Sequence, residues 1–142
     1  MTEKLLNSVV FAETAHKMWE DIRRIFVPCV DLKIYQLRQI IATTRQDGDS
    51  VDVYHRTLSQ AWMELSEYDP VAKCDCGGCK CETAKRAWEA REKERRYAFL
   101  MGLNNGLSYL RTQIMLMDPP PSSFGAYAMV RRAESRMKSS TR

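Results

Sequence analysis

Four thiols fall within eight residues, Cys74-Asp75-Cys76-Gly77-Gly78-Cys79-Lys80-Cys81, in a 142-residue chain with one other cysteine, Cys29, and two histidines, His16 and His55. Four thiolates are the ligand set of a tetrahedral zinc site, and Gly77 and Gly78 free the backbone to bring Cys76 and Cys79 together like the two sides of a zinc turn. Cys74, Cys76, Cys79 and Cys81 are therefore candidate zinc ligands, and zinc is the one cofactor the residues suggest. A reduced loop without metal competes with this reading. Structural sites usually draw their second ligand pair from farther along the chain, and a Cys-x-Cys bite is tight for one metal. A redox or disulfide role is the third reading.

Other catalytic groupings are sparse. Cys29 with His16 or His55 would make a nucleophile and base, but Cys29 follows Pro28 and nothing supplies a third, orienting group. A cysteine between apolar residues reads instead as a small buried side chain, and the two histidines as surface or boundary residues. No enzyme activity and no small-molecule substrate are expected.

Charge is concentrated at one end. Residues 131–142 carry Arg131, Arg132, Arg136, Lys138 and Arg142 against Glu134 alone, which accounts for the whole formal charge of +4 and leaves the preceding 130 residues neutral. Such a basic tail is a candidate nucleic-acid contact through phosphates, or a solvated end. No apolar run reaches the roughly 18 residues that span a bilayer, and the first residues lack the apolar stretch of a signal peptide. The expectation is a protein without a membrane partner, not secreted, placed in the cytoplasm with the nucleus also compatible, where thiols stay reduced.

Hydrophobic spacing supplies the elements that would position these groups. Phe11, Ala15, Met18, Trp19, Ile22, Ile25 and Phe26 recur at three- and four-residue steps, predicting a helix with a buried stripe that Pro28 stops. Asp31 would cap a second helix carrying Leu32, Ile34, Tyr35, Leu37, Ile40 and Ile41, an apolar arc wide enough to be covered on two sides. Asp47-Gly48-Asp49-Ser50 has turn chemistry, with Gly48 free to take positive φ and Asp49 or Ser50 placed to accept the first amides of a third helix. The stripe of that helix is Val51, Tyr54, Leu58, Ala61, Trp62 and Leu65, ended by Asp69-Pro70. Trp19, Trp62 and Trp88 fit helix-packing cores or a subunit interface.

After the cysteine loop, a fourth helix from Glu82 to about Leu103 carries a charged run, 89–96, that reads as a solvated face with acid-first pairs Glu89–Lys93 and Glu92–Arg96. Asn104-Asn105-Gly106 breaks it. Leu107, Leu110, Ile114 and Met117 line a shorter helix closed by Pro119-Pro120-Pro121, and Ser122 or Ser123 starts a last one with Phe124, Tyr127 and Ala128 inward, fraying into the basic tail. No strand-like alternation of useful length occurs. The class is all-α, with about six helices.

In order, the chain presents Ile34-Tyr35-Gln36-Leu37-Arg38-Gln39, Gln46-x-Gly48-x-Ser50-Val51-x-x-Tyr54, Trp62-x-Glu64-Leu65-x-x-Tyr68, Cys-x-Cys-Gly-x-Cys-x-Cys, Phe99-Leu100-Met101-Gly102-Leu103-Asn104, Gln113-Ile114-x-x-Met117-Asp118-Pro119-x-Pro121 and Ala126-Tyr127. This series resembles the Gag polyprotein of copia-type (Ty1/copia) LTR retrotransposons, as found in plant genomes, over about residues 11–135. The resemblance implies a capsid-like helical bundle that self-associates as a homo-oligomer, assembles virus-like particles and packages RNA. It divides the chain into an extension at 1–10, helices one to three at 11–73, the cysteine loop at 74–81, helices four to six at 82–130, and the basic tail at 131–142.

Within it, 46–58 resembles the major homology region of retroviral capsids, where Gln46 and Gly48 form a polar turn and Tyr54 and Leu58 pack inward. An amino-terminal Gag segment, a Cys-x2-Cys-x4-His-x4-Cys knuckle and an aspartic protease motif are missing, which implies a fragment or derivative. The alternative is a zinc-dependent nucleic-acid-binding or adaptor module using the cysteine loop and the basic tail.

Overall fold

The structure, a computed structural model, describes residues 2–73 and 82–140. Among these the elements are α1 (Thr2–Thr43), α2 (Val51–Tyr68), α3 (Glu82–Met101), a 3-10 turn (Asn105–Leu107), α4 (Ser108–Met115) and α5 (Ser123–Ser140), with no strand. The chain is all-α, with five α-helices rather than six. The difference is Pro28, which lies inside α1 instead of ending it. Proline removes one hydrogen bond and crowds the carbonyl of Arg24, a local cost of about 3 kcal/mol that a long helix can absorb. Asp31 is consequently an interior residue and not a cap.

Two compact units divide the chain, Met1–Gln36 and Leu37–Arg142. The described part of the first is helix only. Its apolar stripe, predicted to be buried, is open: Met18, Trp19, Ile22, Ile25 and Phe26 are 51–67% exposed. A helix buries such a stripe only against another element, and this unit contains none. Cys29 is exposed too, which corrects its reading as a buried side chain.

The second unit holds the core. In α2 the six periodic residues Val51, Tyr54, Leu58, Ala61, Trp62 and Leu65 are its buried residues. Four of them, Val51, Tyr54, Leu58 and Trp62, form one cluster with Phe99 and Leu100 of α3, Leu110 and Ile114 of α4, and Ala126 and Val130 of α5. The end of α1 that belongs to this unit adds Leu37, with Ile41 packed against the cluster, while Ile40 stays exposed. Only one side of the predicted arc is thus covered. Ser50 starts α2, its hydroxyl accepting from the Val53 amide at 3.3 Å. Asp69 ends it, its amide donating to the Leu65 carbonyl at 2.7 Å.

Helix α3 differs from the solvated face that its charges suggest. Arg96 is buried and donates to the Pro121 carbonyl at 2.9 Å, and Glu92 accepts from the Ser123 amide and hydroxyl at 3.0 and 2.9 Å instead of pairing with Arg96. Lys93 sits over the Tyr97 ring, 5.7 Å from its centroid, rather than against Glu89. Long stems let charged residues enter an interface while their heads reach polar partners, which periodicity in apolar residues does not register. Carbonyls at and just beyond the C-terminus of α3 are collected by Arg111, which donates to Leu100 and Leu103 at 2.8 and 3.0 Å. In α5 the inward residues are Ser123, Ala126 and Val130; Phe124 is outward, and the helix continues through the basic stretch to Ser140.

The backbone at Gly102 leaves no space for a side chain. Tyr54 donates its hydroxyl to the Phe99 carbonyl at 2.9 Å, and burial pushes the phenol up to about 12. A Cβ at position 102 would fall inside the Tyr54 hydroxyl and 2.8 Å from the Thr44 carbonyl oxygen. Gly102→Ala is therefore expected to cost about 2–3 kcal/mol by overpacking, read as a lower urea midpoint. Tyr54→Phe/Gly102→Ala should recover part of the loss, because removing the hydroxyl clears the nearest atom.

Candidate functional site

The most connected polar group of the second unit is the turn before α2. Gln46 is 2% exposed, and its amide donates to the Gly102 carbonyl at 2.9 Å. Its side-chain nitrogen donates to the Asp49 carbonyl and to Glu134 Oε2, both at 3.2 Å, while its side-chain oxygen accepts from the Asn104 amide at 3.2 Å. Both N–H groups and the carbonyl of the carboxamide are thereby used. Asn104 Nδ2 donates to the Asp47 carbonyl at 2.7 Å. The left-handed conformation assigned to Gly48 from sequence is taken instead by Asp47, at φ 48°, which a short polar side chain tolerates. Tyr54 and Leu58 point into the core from the helix that follows.

Glu134 completes this turn from α5. Its Oε2 also accepts from the Val51 amide at 3.0 Å, so a carboxylate sits on the first free amides of α2, where the helix dipole favours negative charge. Lys138 balances the other oxygen at 3.2 Å. In the sequence Glu134 stands only as the lone acid of a basic tail. That lone sign, one turn before Lys138, was the available signal.

A second cluster is aromatic. His55 stacks on Tyr127 at 3.9 Å between centroids and meets Phe99 edge-on. Tyr127 donates to Asp52, a bond that raises its phenol above the usual value, and Arg131 reaches the same carboxylate at 3.2 Å. Burial lowers His55 below its ordinary 6.5, with Asp52 opposing. Ser59 Oγ lies 3.4 and 3.5 Å from the two ring nitrogens, at the long end of hydrogen-bond range.

The basic residues of α5 separate into two pairs. Arg131 and Lys138 are held by Asp52 and Glu134. Arg132 and Arg136, one turn apart, make no ion pair among the described residues and line a groove of about 510 Å³ with Tyr109, Gln113 and Met129. Arg142, like Cys74, Cys76, Cys79 and Cys81, lies outside the described residues. Among the described residues no group of three or more His, Cys, Asp or Glu is placed to hold a metal ion, and no helix is long and apolar enough to cross a membrane.

Two outcomes follow from this geometry. Gln46→Glu sets a carboxylate against Glu134 and removes both donors. It is expected to cost about 3 kcal/mol or more in denaturant unfolding, and added Glu134→Gln should restore part of it by supplying a donor. For His55, a folded-state pKa below 6.5 means that the unfolded chain binds more protons as pH falls, so stability is lost below that value. His55→Phe keeps a ring against Tyr127. It should flatten the wild-type decline in melting temperature between pH 6.5 and pH 5, relative to the same scan of the parent.

Comparison with protein-family models, with curated proteins and with solved structures gives no match to this chain.

Proposed function

We propose that the chain is a non-enzymatic structural protein, a fragment or derivative of the capsid-like region of a copia-type retrotransposon Gag, which self-associates as part of virus-like particle assembly. The observation that carries this reading is the state of Gln46. In the stretch that resembles the major homology region, a buried glutamine ties its own turn to Asn104 and Glu134, and Tyr54 and Leu58 follow inward on the next helix. Such a turn fixes how one helix enters a bundle and needs no chemistry beyond hydrogen bonding. The exposed apolar residues of the first unit supply surface for association.

Particle formation and RNA packaging belong to this same reading. A second reading, a zinc-dependent nucleic-acid-binding or adaptor module, draws on Arg132 and Arg136, whose charges are uncompensated beside Tyr109. Salt separates the two. Light scattering from the purified chain should find species larger than a monomer that persist or grow between about 50 mM and 500 mM salt, because apolar association strengthens there. Binding to single-stranded RNA through phosphates should instead weaken steeply over the same range. A chain that stays monomeric at all concentrations overturns the assembly reading.

A further inference from the structure

The exposed stripe of the first unit has a period of its own. Ala15, Met18, Ile22, Ile25, Cys29 and Leu32 follow one another by alternating steps of three and four, a strict 3.5-residue repeat, and all are exposed. An α-helix turns every 3.6 residues, so a stripe kept at 3.5 faces one neighbour along its whole length only when two helices wind around each other. Trp19 and Phe26 each lie four residues after a seam position and widen the stripe on one side, at 63 and 66% exposed. A helix that merely touched solvent would need none of this.

Resting on the self-association reading above, we propose that this stripe pairs with the same stripe of a second copy of the chain, as a helix–helix seam. Area favours this occupant. Covering these eight side chains removes on the order of 800 Å² per copy, and two copies therefore bury roughly 1,600 Å², the size of a standard specific interface. Charge favours it as well. Around the stripe, Glu13, Glu20, Asp21 and Asp31 are matched by Lys17, Arg23, Arg24 and Lys33, a neutral helix with interspersed signs. Such a surface offers no net attraction to a nucleic acid or an acidic peptide, and two copies meet without net repulsion. The apolar fill is thus what selects the partner, and the partner it fits is itself.

Sedimentation equilibrium of the full chain tests the seam. The parent should show a reversible monomer–dimer equilibrium, and Ile22→Asp or Ile25→Asp should raise its dissociation constant by about a hundredfold or more, because a charge would be desolvated in the seam. Lys17→Glu, on the outward face, should leave it within about twofold. Both aspartates replace exposed side chains, so the core of the second unit is untouched. Should either lose its cooperative melt in circular dichroism, Ile22→Gln and Ile25→Gln are read at the same positions for the same rise. A parent that dimerises as tightly as its Ile22→Asp and Ile25→Asp variants overturns the seam alone and leaves assembly to another surface. A parent that never leaves the monomer overturns the seam and the assembly reading together.

Discussion

The second unit depends on where one carboxylate is placed. Glu134 Oε2 accepts from the Val51 amide and from the Gln46 carboxamide, so α5, the turn and α2 share a single oxygen atom. The turn and α2 are contiguous, whereas α5 is far from both in sequence, and no apolar contact by itself would set its register against them. A carboxylate at a helix N-terminus answers amides that have no partner within the helix and meets the positive end of the dipole. Partial burial makes both bonds directional and costly to lose. Gln46 then carries the constraint onward to the Asn104 amide, beyond the end of α3.

This lock is tight enough to leave no room for a side chain at position 102. The Gln46 amide holds the Gly102 carbonyl on one side, and the Tyr54 hydroxyl approaches on the other. Tyr54 in turn stacks on Phe99, which meets His55 and Tyr127 edge-on. The polar turn and the aromatic row therefore set one another's positions. Tyr127 returns the connection to α2 through Asp52, so α5 is fixed to α2 by a carboxylate in each direction. Two such bonds at separate points along a helix oppose rotation of α5 as well as sliding, which apolar contacts at Ala126 and Val130 could not do alone.

Helix periodicity made α2 legible in full, because its six apolar positions are the ones that folding buries. The same period misled at residues 18–26, where the stripe has the composition of a core but its own unit, among the described residues, has no second element to cover it. Pattern reports what a helix can bury and is silent on what meets it. Pro28 was read as a stop because its local cost is certain, whereas the gain from continuing the helix is spread over many residues. Arg96 and Glu134 were unreadable for a different reason. A charge acquires a structural role only when its partner, here the Pro121 carbonyl or the Val51 amide, arrives from elsewhere in the chain. The turn at 46–50 was legible in composition, yet the strained residue is Asp47 and not Gly48, since its carbonyl is the one that Asn104 holds.

The cysteine segment connects α2 to α3, so a metal there would at first sight set how those helices lie together. The contacts between the two argue otherwise. Asp69, which ends α2, receives Arg91 through its carbonyl at 3.0 Å, and its carboxylate takes Arg38 at 3.1 Å. One turn farther along α3, Arg95 donates to Ser66 at 3.0 Å and lies over the rings of both Trp62 and Trp88. These arginines close the junction on the near side of the connecting segment, with stems packed among apolar residues and heads on fixed acceptors. The pairing of α2 with α3 is therefore set by residues on the helices themselves.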